Sequence, residues 1–344
     1  MSFLELDSAF ADATAESAAA YLDGVMDACV KSGINTVFFH VRAHSDCYYA
    51  SKLFPPAAST KELLAAGFDP LAYAVKAAHA RGLSLHAWIN PYRIGEQSEN
   101  AVCADVFRVD DCWYYIPSSL SAQRCILDGV REVVQGYAVD GVQYDDYFYP
   151  AGTPATAQAF EKPPAGVPLA RWRQAAVSAL VSATYSAVHS RDGCLFGISP
   201  AGNLSRCTDK LFADLPRFAA VTGYVDYLCP QLYSGFENTT LPYEKEADDW
   251  AALSRAAGVR LYAGLAVYKT GESDLFAGSG SGEWQNHSDI LLRQTQYAAK
   301  KGYAGVSLFR LQHWTAPGGD IRTKEIAALT AHFVENSAQP SSQK

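Results

Sequence analysis

The chain has 344 residues, 49% of them hydrophobic and 19% charged, with a formal net charge of −8. That is enough apolar material for a large core, and an acidic balance with no basic block argues against nucleic acid or an anionic membrane surface as the partner. The 8 cysteines are scattered without a CxxC pair or a Cys/His ligand spacing, so no cysteine-built zinc site is expected.

Residues 2–5 form a candidate first strand. An amphipathic helix is predicted over 15–32 and closed by Gly33, followed by a strand over 34–42. Helix 70–81 ends at Gly82, ahead of strand 83–90. Helix 121–137 leads into strand 139–145, and helix 169–191 with Gly193 leads into strand 194–199. A weaker helix over 211–221 precedes strand 225–233. Helix 243–257 precedes strand 259–267, helix 288–301 precedes strand 303–310, and helix 321–336 closes the set.

Eight short apolar strands, each followed by a helix, predict an α/β protein built as a (β/α)8 TIM barrel. The glycines that end helices before strands (Gly33, Gly82, Gly193, Gly258 and Gly302) support the count, since each short turn needs a residue tolerant of positive φ. A doubly wound open sheet is the competitor, but it normally shows a Gly-rich phosphate turn after the first strand, and none is present. The expectation is one domain over 1–336 with a linker or disordered tail over 337–344, rich in Gln, Pro and Ser. No transmembrane run and no signal peptide stand in the sequence, so direct membrane insertion is not expected. The first strand is expected at the very first residues, so the start reads as a trimmed boundary.

Loops after strands are long (43–69, 91–119, 148–168, 269–287) and loops before them short, an asymmetry that builds one functional face at the carboxyl ends of the strands. Within the second of these loops Cys103 and Cys112 are candidates to pair. Cys29, Cys194 and Cys229 read as small core residues.

The segment Val-Asp-Gly-Val-Gln-Tyr-Asp-Asp-Tyr-Phe-Tyr at 139–149 carries the most chemistry. Side chains alternate across a strand, so Gln143 and Asp145 share a face with Gly141, and Asp145 points along the barrel axis with Gln143 one layer beneath. Asp146 begins the loop. The same alternation brings His40 and Arg42, then Asp46, to the functional face from the second strand, and His86, Trp88 and Asn90 from the third, running into Tyr92 and Arg93. Ser199 and Asn203 follow the fifth strand; Gln231, Tyr233 and then Glu237 follow the sixth; Lys269 follows the seventh; Arg310 and Gln312 end the eighth. Each has a plain alternative. The aspartates can simply stop a strand, the histidines can be hydrogen-bonded core residues, Arg42 can neutralise Asp145 or Asp46, and Glu237 and Lys269 can be solvated loop charges.

These residues carry a resemblance. The stretches Asn-Thr-Val-Phe-Phe-His-Val-Arg (35–42), His-Ala-Trp-Ile-Asn-Pro-Tyr-Arg (86–93), Asp-Gly-Val-Gln-Tyr-Asp-Asp-Tyr-Phe-Tyr-Pro (140–150), Gly-Ile-Ser-Pro (197–200) and Tyr-Leu-Cys-Pro-Gln-Leu-Tyr (227–233) occur in order, and the chain resembles the glycosyl hydrolase-like 10 family from about Phe3 to about Trp314. The resemblance implies a (β/α)8 barrel, exported or lipid-anchored in bacteria, with members that cleave peptidoglycan glycan strands, including strands stripped of stem peptides. By the same similarity Asp145 and Asp146 fall on the family's paired aspartates. Ala43-His44 depart from the proline and aromatic residue more usual in the family, a difference that bears on a substrate subsite.

The expected activity is therefore glycoside hydrolysis at the cell envelope or outside the cell, on a polysaccharide or oligosaccharide, with no cofactor and no metal. Such cleavage needs one carboxylic acid to protonate the leaving oxygen and a second carboxylate as nucleophile or base. Asp145 is the central carboxylate. Glu237 is preferred as its partner because neighbouring strand residues diverge, and Asp146 is the alternative if the strand bends. Gln143 supports Asp145. Gln231, Tyr233, His86 and Trp88 would steady the sugar, while Arg42, Asp46, Asn90, Tyr92, Arg93 and Lys269 would bind hydroxyl, N-acetyl or lactyl groups. Two rivals stand beside this reading: a non-catalytic carbohydrate-binding barrel, and a metal-dependent deacetylase or amidohydrolase using His40, His44, Asp46, His86 and Asp145. Oligomeric state is not legible.

Overall fold

The computed structural model describes residues 1–337 apart from 147, 155, 157, 159 and 317; the expected tail over 338–344 lies outside the described residues. Seven parallel strands curl around the core: β1 (Thr36–Arg42), β2 (Ser84–Ile89), β6 (Gly141–Tyr144), β7 (Leu195–Ile198), β8 (Tyr227–Leu228), β9 (Arg260–Ala266) and β10 (Gly305–Phe309). They hydrogen-bond side by side in the order β1-β2-β6-β7-β8-β9-β10. Helices at Ala15–Lys31, Pro70–His79, Leu120–Gly136, Leu169–Val188, Leu215–Ala220, Tyr243–Ala251, Ile290–Lys300 and Asp320–Ser337 alternate with them, as the apolar periodicity predicts. The turn glycines 33, 82, 193, 258 and 302 all have positive φ, between 70° and 92°.

The expected first strand is not formed, and this corrects the eight-strand count. Residues 2–5 read Ser-Phe-Leu-Glu, which is also a capping box, and they open a helix over Phe3–Phe10 in which Ser2 N donates to Glu5 Oε2 at 2.6 Å. Met1 alone lies alongside β1. Its amine donates to Phe38 O at 2.7 Å and its carbonyl accepts from His40 N at 3.1 Å, two bonds in the manner of a parallel ladder. On the other side Arg310, just past β10, donates from Nη1 to Ser2 Oγ at 3.1 Å, and its Nε lies 3.4 Å from Glu5 Oε1. Residues 1–5 thus bridge β1 and β10 where an eighth strand was expected.

A second element was not foreseen. The loop after β2 contains a three-stranded antiparallel sheet, β3 (Arg93–Gly95), β4 (Val106–Val109) and β5 (Cys112–Tyr115), in the order β3-β5-β4, packed on its own small cluster of Phe107, Tyr114 and Ile116. Inside the curled sheet, two glycines permit close approach of rings. A Cβ on Gly141 would stand 2.6 Å from the His86 ring, and one on Gly197 would stand 2.1 Å from the Tyr227 ring. His86 and Tyr227 therefore fill the axis only because these two positions lack side chains.

Candidate active site

A cavity of about 1530 Å³ opens at the carboxyl ends of the strands and follows the seam between β1 and β10 down to Thr36 and Gly305. Its upper part is lined by Trp88, Asn90, Arg93, Asp145, Asp146, Ser199, Gln231, Tyr233 and Phe309. Asp145 is 3% exposed and accepts a hydrogen bond from Trp88 Nε1 at 3.3 Å. β6 ends at Tyr144 and Asp146 falls in a bend, so the strict alternation expected to separate the two carboxylates ends before it reaches them. Both line the same cavity.

The two aspartates are held by different groups. Trp88 Nε1 donates also to Asn90 Oδ1 at 3.1 Å, and His40 Nε2 lies 3.2 Å from the same oxygen. Asn90 Nδ2 donates to Ala43 O at 3.0 Å, which fixes the amide's orientation with its oxygen toward Trp88 and His40. His40 stacks flat on the Trp88 indole, centroids 3.8 Å apart, and its Nδ1 accepts from Phe3 N at 3.4 Å. It therefore carries its proton on Nε2, and burial keeps it neutral, well below the usual histidine range. Asp146 Oδ1 accepts from Gln231 Nε2 at 3.5 Å, and that amide also donates to Ser199 O at 3.0 Å. Burial raises the Asp146 carboxyl above the ordinary range, opposed by Gln231 and by the charges of Arg206 and Arg93.

Aromatic faces line the space above. Phe309 stacks on Tyr233 at 5.8 Å and meets Trp88 edge to face at 6.4 Å, so three rings form one wall across the opening. Deeper in, His86 Nδ1 lies 2.9 Å from Tyr227 Oη, and that hydroxyl donates to Gln143 Oε1 at 3.4 Å. Gln143 and His86 thus line the lower cavity and bond to each other's partner, with burial lowering His86 to about 4.

Several expected ligands lie elsewhere. Arg42 follows a register shift in β1 that turns it outward, against Gly129 of the helix Leu120–Gly136, where its guanidinium sits 4.2 Å over the Phe54 ring. Tyr92 is fully buried outside the cavity. Lys269 Nζ is bound by Asp274 Oδ2 at 2.6 Å. Asp46 lies 4.0 Å from His44, and burial and Asp7 push it up to about 6. Glu237 is 59% exposed and lies 3.5 Å from His287 Nε2, outside the cavity lining. Its loop is held from behind, by Glu283 accepting from the backbone of Phe236 and Glu237 at 2.9 Å each. Among the described residues no three His, Cys, Asp or Glu side chains cluster as ligands for a metal ion. Arg206, whose charge reaches Asp146, was not anticipated: it is an exposed residue of the short helix Leu204–Asp209, and nothing in its sequence context marks it.

Comparison with known proteins points to a family and a fold. Residues 13–278 match the family model described as Glycosyl hydrolase-like 10. Among curated proteins, the chain is 31% identical to the glycosyl hydrolase DigH of Escherichia coli K12, over 72% of this chain and 65% of that one. It is also 31% identical to the glycosyl hydrolase YngK of Bacillus subtilis, over 71% of this chain and 55% of that one. It therefore spans about two thirds or less of the length of these relatives. Among solved structures, the PgaB (BpsB) glycoside hydrolase domain from Bordetella bronchiseptica superposes with a TM-score of 0.60 at 13% identity, covering 90% of this chain and 93% of that one. A chitinase from Chromobacterium violaceum superposes with 0.51 at 14% identity, covering 92% and 95%. At such low identity the likeness is one of fold.

Proposed function

This chain belongs to the glycosyl hydrolase-like 10 family, and from that premise we propose that it hydrolyses glycosidic bonds in peptidoglycan glycan strands, at the cell envelope, with Asp145 and Asp146 as its two carboxyl groups. The observation that carries the reading is the pair itself: two adjacent aspartates face one cavity beneath a wall of Trp88, Tyr233 and Phe309. Aromatic faces suit the apolar faces of sugar rings, and a carboxyl whose pKa is raised by desolvation suits protonation of a leaving oxygen. Asp146 takes that role. Asp145, fixed by the Trp88 N–H, serves as the carboxylate that stabilises or attacks the anomeric carbon. Arg93, on the cavity wall, supplies the cation for an acidic sugar substituent. Glu237 has no part in this scheme.

The test is mass spectrometry of soluble products after incubating the protein with purified peptidoglycan, intact and amidase-stripped, beside chitin and cellulose. Muro-oligosaccharides released from peptidoglycan are expected. Release from chitin or cellulose alone would reassign the substrate, and no release from any of the four would favour a binding protein.

The assignment of Asp146 makes a pH prediction. An acid must be protonated to work, so kcat falls as pH rises through its raised pKa. The Gln231 amide favours the ionised form, so Gln231→Ala is expected to move the alkaline limb of the kcat profile to higher pH. A limb that stays in place or moves to lower pH would exclude Asp146 as the proton donor.

A further inference from the structure

A second cleft, of about 620 Å³, opens between the loops that follow β6 and β7, and its walls include Pro150, Thr153, Asn203, Arg206, Lys210 and Phe212. The same two loops serve the active cavity. Asp146 and Ser199 line that cavity, while Pro150 and Asn203, each four residues further on, line the cleft, a reach of at most about 14 Å along either loop. The loops are joined to each other at this point, where Tyr149 N donates to Leu211 O at 3.4 Å. The cleft stands on fixed groups. Asn203 Oδ1 accepts from Arg206 N at 3.0 Å and from Ser205 Oγ at 2.8 Å, which sets the start of the helix Leu204–Asp209. Gln174 Nε2 donates to Thr208 O at 3.4 Å and ties that helix to the helix Leu169–Val188.

The cations at this cleft are of two kinds. Arg173 lines it, but its charge is met by Glu161 through two bonds of 2.7 Å. Arg206 and Lys210 are exposed, and among the described residues no carboxylate forms an ion pair with either. Asp209 is the one acidic residue among the described lining, so the cleft keeps a positive balance. We propose that this cleft is an outer subsite of the active cavity that binds an acidic sugar of the same glycan strand, the sugar's carboxylate held by Arg206 and Lys210. The proposal rests on the peptidoglycan reading above and deepens it. In such a strand the carboxyl-bearing sugar alternates with a neutral one, so a strand that places one acidic unit beside Arg93 presents another further along. A guanidinium fork takes both oxygens of a carboxylate and an ammonium adds a point charge, while Pro150 and Phe212 offer apolar surface to the ring. Neutral polymers such as chitin and cellulose gain nothing from the two cations, so the cleft favours the acidic strand.

Isothermal titration calorimetry tests this on the Asp145→Asn protein, in which hydrolysis is expected to be too slow to consume the ligand. The ligands are a muro-disaccharide and a muro-octasaccharide, each as purified and with its carboxyl groups reduced to alcohols. The octasaccharide is expected to bind more tightly than the disaccharide, and adding Arg206→Gln with Lys210→Gln is expected to remove that advantage, on the order of tenfold in Kd. Carboxyl reduction should weaken octasaccharide binding by more when the two cations are present than when they are replaced, which isolates their contact with the carboxylate. The reduced sugars probe the same contact in a protein with both cations intact, so the result does not depend on how the variant folds. A long-chain advantage that survives both substitutions, or a carboxyl effect of equal size with and without them, would overturn the subsite while leaving product release by the wild type as separate support for the parent reading. Absence of binding to any of the muro-oligosaccharides would overturn the peptidoglycan reading and the subsite with it.

Discussion

Asp145→Asn is expected to fold as the wild type does and to lose hydrolytic activity by three or more orders of magnitude, about 4 kcal/mol of transition-state stabilisation. The fold should persist because the amide has the carboxylate's shape, and its oxygen can still accept the Trp88 N–H now 3.3 Å from Asp145 Oδ2. What disappears is the negative charge, in a site only 3% exposed where charge is weakly screened by water. Steady-state kinetics on soluble muro-oligosaccharides, with far-UV circular dichroism and Tm as controls, would measure it. Activity within tenfold of wild type, in a protein of unchanged Tm, would remove Asp145 from the chemistry.

The strands of the curled sheet were legible as apolar runs, and a helix-ending glycine (33, 82, 193, 258 or 302) stood before five of the seven. The first element was misread because Ser-Phe-Leu-Glu satisfies two local rules at once. Its apolar pair suits a strand, its first and last residues suit a capping box, and distant partners decided the outcome. Glu5 accepts from Ser2 N and from Gln312 N, and it faces Arg310, bonds that a strand at 2–5 would not supply. The small sheet was missed because β3, β4 and β5 are too short for two-residue periodicity to stand out in the residues alone.

Within the site, alternation worked along β2 and β6 and, for Asp145, Gln231 and Tyr233, just past the paired ends of β6 and β8. It placed Trp88, Gln143, Asp145, Gln231 and Tyr233 on the cavity wall. It failed for Arg42 because the register of β1 against β2 shifts between His40 and Arg42, and one inserted residue sends the following side chain to the opposite face. It failed for Lys269 for a different reason, since Asp274 binds the ammonium and no local pattern announces which carboxylate will be near. It undervalued Asp146 by extending alternation past the last paired residue of β6. Arg206 left no trace in the sequence because its proximity to Asp146 is created by packing alone.

The loop that follows the aspartates is held by a buried ion pair, and breaking it should give the largest loss of stability of any single substitution considered for this chain. Arg173 and Glu161 meet through two parallel bonds, Nε to Oε1 and Nη2 to Oε2, both at 2.7 Å, and the Arg173 residue is 1% exposed. The guanidinium also lies 5.3 Å from the Tyr149 ring and 5.1 Å from the Phe212 ring, neighbours that cannot replace a lost carboxylate partner. Glu161→Gln removes the countercharge and turns an amide N–H₂ toward a donor, leaving a buried cation half-satisfied. The expected cost is about 3–5 kcal/mol, seen as a lower urea midpoint at unchanged m and a Tm drop on the order of 5 °C or more. Arg173→Met on top of Glu161→Gln should recover much of the loss, because it removes the stranded charge and keeps the packing volume. A single variant as stable as wild type, or a double variant weaker than the single, would show that the pair does not hold the loop.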